Sequence, residues 1–145
     1  MSVERGLRRV LLGAVALGTV TAALELLLAG HTESAVQWVP FGLAGLGFVA
    51  AGIAGVRPTR ATLWGLRGSL GVLLLGGVFG IWEHLEHNYA FEAEIRPTAE
   101  VGELVLQAVQ GGSPALAPGL FVFLALLGWA ATWRHPSLQV GAQPE

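Results

Sequence analysis

Four long apolar runs decide what this chain can fold into. They cover about residues 10–30, 35–56, 63–87 and 115–133. Each holds a largely apolar stretch of roughly 19 to 22 residues, enough helix to cross a hydrocarbon core of about 30 Å. A membrane strand needs only about 10 residues and shows strict alternation, a pattern absent here. The chain is 53% hydrophobic and 12% charged, about half the charge of a typical soluble domain. The expected fold is an all-α integral membrane protein. It is a four-transmembrane-helix up-down bundle, built as a single membrane domain over residues 1–145.

The first run follows Arg5, Arg8 and Arg9 and so resembles a signal peptide at its start. A signal core is usually about 7 to 15 residues, and this run is longer. Thr21 to Ala23 also makes a poor cleavage site, so the run is read as a retained span.

Charge fixes the orientation. All eight basic residues are Arg. Arg5, Arg8, Arg9, Arg57, Arg60, Arg67 and Arg134 fall on one side of a four-span topology, and Arg96 alone on the other. The second side receives Glu33, Glu83, Glu86, Glu92, Glu94, Glu100 and Glu103. Short basic segments stay cytoplasmic, which puts both termini inside, in a bacterial inner (plasma) membrane. Trp38, Trp82 and Tyr89 then mark the outer interface, and Trp64, Trp129 and Trp133 the inner one. Arg67 is expected near the inner end of its span, its stem carrying the charge to the interface.

Short links at residues 31–34 and 57–61 favour antiparallel neighbours. Between the third and fourth spans lies a longer outer segment, residues 88–114. Val101, Leu104, Val105, Ala108 and Val109 recur there at helical spacing. Thr98 is expected to cap a short extracytoplasmic amphipathic helix, about 98–110, which Gly111 and Gly112 end. That helix should lie on the outer surface or over the bundle mouth.

Glu25 is the least expected residue, because it interrupts an apolar run. It sits about 9 Å inward of His31 along the helix. A charge within a span normally faces the bundle or a wet cavity. Ala14, Gly18, Thr21, Ala22, Ala29 and Thr32 share its face at 100° per residue, a stripe of small residues that admits another helix. On the third span Ser69, Gly76, Gly77 and Gly80 form a similar stripe, continued by Glu83, His84, His87 and Asn88. If the two stripes meet, Glu25 approaches the Glu83, His84 and His87 group.

Carboxylate and imidazole together form a ligand set for a divalent metal: Zn, Fe, Mn or Cu. Glu25, Glu83, His84 and His87 are the candidate ligands, with His31, Glu33, Glu86 and Asn88 as supporting groups around them. The string at residues 83–87 is neither the zinc-protease pattern nor the Glu-x-x-His pair of di-iron bundles. Whether such a site would be catalytic stays open. A small proton-coupled transporter using Glu25 is an alternative, and the layout resembles the general plan of small multidrug exporters. A bis-His haem protein, His31 with His84 or His87, is another. A non-catalytic accessory subunit is the last. The lipid bilayer is the one partner implied outright, with a homo-oligomer or a membrane-complex partner compatible. Eight arginines placed by topology do not make a nucleic-acid surface. The absence of Cys excludes disulfides and thiolate ligands.

Overall fold

A computed structural model describes residues 3–139, which form helices and turns with no strand among them. The helices are α1 (Val3–Leu28), α2 (Val39–Val56), α3 (Arg60–Ile95), α4 (Val101–Gln110), α5 (Gly119–Thr132) and α6 (Pro136–Gln139). A single 3₁₀ turn, Val36–Trp38, leads into α2. Three segments are long and apolar enough to cross a membrane: Val3–Leu28, Val36–Val56 and Arg60–Ile95.

Local chemistry sets the ends of the long helices. Gly30 takes φ +67°, and behind it the His31 amide donates to Leu26 O while the Gly30 amide donates to Leu27 O. These bonds form a Schellman end, which Gly supplies without a Cβ penalty. At the opposite end Pro58 breaks the chain, and Thr59 caps α3 by exchanging bonds with Thr62. Several expected boundaries move. The first helix begins at Val3, well before residue 10, and ends at Leu28. The third does not stop near residue 87 but continues to Ile95, because no breaker intervenes before Pro97. The outer helix starts at Val101, and Glu100, not Thr98, occupies its cap position. α5, on the fourth apolar run, spans only 14 residues.

This helix is preceded by overlapping i→i+3 turns from Pro114: Ala117 to Pro114 O, Gly119 to Leu116 O, Leu120 to Ala117 O and Phe121 to Pro118 O. Pro118 lacks the N–H that an α-helical ladder would use here. About 21 Å of helix is therefore extended by roughly 10 Å of tighter turn.

The bundle closes in a ring. α1 packs on α2 and α5, and α3 packs on α2 and α5, so α1 and α3 stand at opposite corners. The expected meeting of the α1 and α3 stripes is thus overturned. Both stripes are used, but against other helices. Gly18 of α1 lies against Leu124 of α5, and Gly76 of α3 lies against Leu43 of α2. Gly77 and Gly80 lie against Pro118, at the start of the final helix.

The interior is built from Val15, Ala22, Ala44, Ala51, Ala54, Leu63, Leu66, Leu70, Leu73 and Ala125, all buried. The larger apolar side chains point outward: Leu17, Leu24, Phe48, Ile53, Leu75, Phe79, Phe123 and Leu126 are exposed. An interior of alanines around four leucines, with so many large apolar residues left outside, suits a lipid solvent and would make a soluble surface aggregate.

Two guanidinium groups fasten the end of α5. Arg67 donates from Nε to Thr132 Oγ1 at 3.0 Å and from Nη2 to Thr132 O at 3.2 Å, with its guanidinium 5.2 Å from the centre of the Trp64 ring. Arg8 donates to the carbonyls of Trp133 and Arg134 at 3.3 and 3.4 Å. Cations at a helix C-terminus match its dipole and its unpaired carbonyls. Arg67 is therefore a clamp between α3 and α5 rather than a charge reaching freely for the interface.

Candidate functional site

The C-terminal half of α3 collects the polar residues singled out above. Asn88 is 4% exposed and makes three hydrogen bonds: its amide nitrogen donates to Ala108 O at 2.9 Å and Ser113 O at 2.7 Å, and its Oδ1 accepts from the Ser113 amide at 3.0 Å. One turn earlier, His84 Nδ1 lies 3.0 Å from Pro114 O. A carbonyl only accepts, so this bond puts the proton on Nδ1. One turn later, Glu92 is buried beside α4, with Oε2 3.3 Å from Arg96 Nη2. That contact is an ion pair without hydrogen-bond geometry, and among the described residues Oε2 has no hydrogen-bond partner.

Residues 84, 88 and 92 are spaced i, i+4, i+8, so they share one face of α3. That face holds α4 and the chain returning from it. Gly111 is part of the arrangement, since a Cβ there would sit 2.6 Å from Asn88 Cγ. Buried polar groups of this kind are stable only when paired, and Asn88 is.

The other candidates lie elsewhere. Glu83, Glu86 and His87 are exposed on α3, off the face that grips α4. Glu25 is exposed on α1, while the buried residues of that helix are Val15, Thr19 and Ala22. It lies three residues from the helix end and does not point into the bundle, contrary to the expectation from the small-residue stripe. His31 is half-buried in the turn after α1. Glu33 is exposed, and its amide donates to Gln37 Oε1. Among the described residues, no group of three or more His and Glu side chains comes together in a way that could hold a metal ion. Of the eight candidates the structure joins His84 and Asn88 in one function, fastening residues 108–114, and leaves the others apart.

Glu92, grouped by the charge pattern with the acidic residues of the second side, is buried where Glu94, Glu100 and Glu103 are exposed. The available signal was its spacing from His84 and Asn88. The apolar stripe of α4 is also divided: Leu104 and Ala108 are buried on α3, while Val101, Val105 and Val109 are exposed.

Comparison with protein-family models, with curated proteins and with solved structures finds no match. The functional reading therefore rests on the chain's own residues.

Proposed function

We propose that this chain is a four-span membrane protein acting as a non-catalytic subunit, with its α3–α4 cap presented on the extracytoplasmic side. One observation carries the choice: His84 and Asn88 are committed to fastening residues 108–114, while Glu83, Glu86 and His87 stay exposed, so among the described residues the polar groups of this half of α3 form no shared ligand cluster. The contacts of Arg8 with residues 133–134, of Arg67 with Thr132 and of Ser137 with Pro58 gather the arginine-bearing segments at one end. A basic end of this kind belongs in the cytoplasm. The final helix with its preceding turns reaches about 31 Å, which supports a fourth crossing. α3 extends about 54 Å, so its outer turns project beyond a hydrocarbon core of about 30 Å. Glu94, Glu100 and Glu103 are exposed on the projecting cap, and a basic surface on a partner subunit is its complement.

The chain has no Cys, so single-cysteine labelling reads its topology cleanly. Cysteine at Glu94 or Glu103 should react with an impermeant maleimide in intact cells, and cysteine at Arg60 or Ser137 only after permeabilisation. Labelling of all four from outside rejects the orientation. A photocrosslinker at Val105 should give one discrete adduct in cells, lost when Glu94 and Glu103 are reversed to Arg. An adduct indifferent to that reversal, or none, rejects the subunit reading.

Elemental analysis separates this reading from the metal one. The purified chain should carry well under one equivalent of Zn, Fe, Mn or Cu, and Glu25→Ala and His87→Ala should fold as the parent does. A stoichiometric metal lost in His84→Ala/His87→Ala would restore the metal site and displace the subunit proposal.

A further inference from the structure

The arginine-rich end of the bundle holds an open crevice of about 230 Å³ between the start of α1, the link from α2 to α3 and the start of α6. Arg5, Arg8, Arg9 and His135 line it together with apolar groups including Leu12 and Leu63. Arg8 is held in place by its bonds to Trp133 O and Arg134 O, which fixes one positive charge at the rim. The His135 imidazole has its pKa lowered below the usual value, first by burial and then by the Arg8 charge. Arg5, Arg8 and Arg9 therefore supply the positive charge here, while the lowered pKa favours the neutral form of His135.

We propose that this crevice binds the phosphate headgroup of an anionic phospholipid from the leaflet on the arginine side. Guanidinium groups match phosphate oxygens with charge-assisted bonds. The apolar lining, Leu12 and Leu63 among it, is where the start of an acyl chain would lie. The volume is below the roughly 300–1,000 Å³ of sites that enclose a small molecule, so it suits a headgroup and not a whole lipid. Basic clusters beside membrane helices draw anionic lipid in this way. The inference rests on the membrane-spanning reading above.

The test titrates phosphatidylglycerol, phosphatidylcholine or inorganic phosphate into the full chain in neutral detergent, with retention read by native mass spectrometry. Phosphatidylglycerol should bind at least tenfold more tightly than phosphatidylcholine. Arg5→Gln/Arg9→Gln should weaken it by roughly fivefold per arginine, about 25-fold for the pair. Arg60→Gln, at the same end but outside the crevice, should leave it unchanged. Equal loss in Arg60→Gln overturns the proposal in favour of diffuse attraction. Inorganic phosphate binding as tightly as phosphatidylglycerol overturns it in favour of a free-anion site. If the double variant does not fold, a photoactivatable phosphatidylglycerol on the parent chain decides. Crosslinks at residues 5–12 or 135–136 support the crevice, and crosslinks confined elsewhere reject it. Membrane insertion is read separately by resistance to alkaline extraction, so loss of the crevice alone leaves the topology standing.

Discussion

Replacing Asn88 by Ala should release the outer cap while leaving the bundle folded. The substitution strands Ser113 O and the Ser113 amide and leaves Ala108 O with only the long bond from the Gly111 amide at 3.4 Å. A buried group left without a partner costs about 1–3 kcal/mol, and water entering as the cap loosens recovers part of it. The expected loss is about 2–4 kcal/mol, confined to α4 and residues 111–114. Hydrogen exchange is the measurement: the amides of residues 104–113 should exchange roughly 30- to 1,000-fold faster, while those of α2 and the N-terminal half of α3 hold. Asn88→Asp separates hydrogen bonding from size. The carboxylate still accepts from the Ser113 amide but turns an acceptor toward two carbonyls, so it should resemble Ala and not the parent. Unchanged protection in both variants would show that α4 is held by Leu104 and Ala108 alone.

Gly77→Ala should destabilise the bundle itself. A Cβ at Gly77 would lie 2.9 Å from Pro118 O and 3.0 Å from Val122 N, both backbone atoms. Backbone cannot turn aside as a side chain does, so α3 and the start of α5 must separate. Overpacking of this kind costs about 1–3 kcal/mol, and the backbone obstruction places Gly77→Ala toward the upper end. Gly128→Ala is the comparison. Its Cβ would approach Leu70 Cδ1 and Cδ2 at 2.6 Å, the far end of a flexible side chain, although a buried one. Gly102→Ala meets nothing within 4 Å and should be neutral or gain up to about 1 kcal/mol from helix propensity. Thermal unfolding in detergent should rank the three: Gly77 worst, Gly128 intermediate, Gly102 harmless. A Gly77→Ala protein as stable as Gly102→Ala would refute the close packing of α3 on α5.

The outer cap and the inner clamp follow one physical rule. Arg67 and Arg8 satisfy carbonyls at the end of α5, and Asn88 and His84 satisfy groups at the end of α4 and in the return to α5. Polar side chains in a chain this apolar are needed where helices end, because helix ends leave backbone groups unpaired. Most of what first resembled a reactive cluster on α3 therefore divides into residues that pair backbone groups and residues that remain exposed.

The amino-acid sequence determined the helices and the end of the molecule that each one faces. Run length, Pro58, Gly30 and the arginine distribution are local or additive signals, so they survive without knowledge of packing. It also marked Gly18, Gly76 and Gly77 as places of close approach. Tertiary structure alone decided which helix each glycine meets. Helical periodicity gives the angle of a residue about its own axis and says nothing of the neighbour across it, so a ring with α1 and α3 adjacent and a ring with them diagonal read alike. That choice turned Glu25 outward, separated it from His84, and made Asn88 and Glu92 the inner face of the cap.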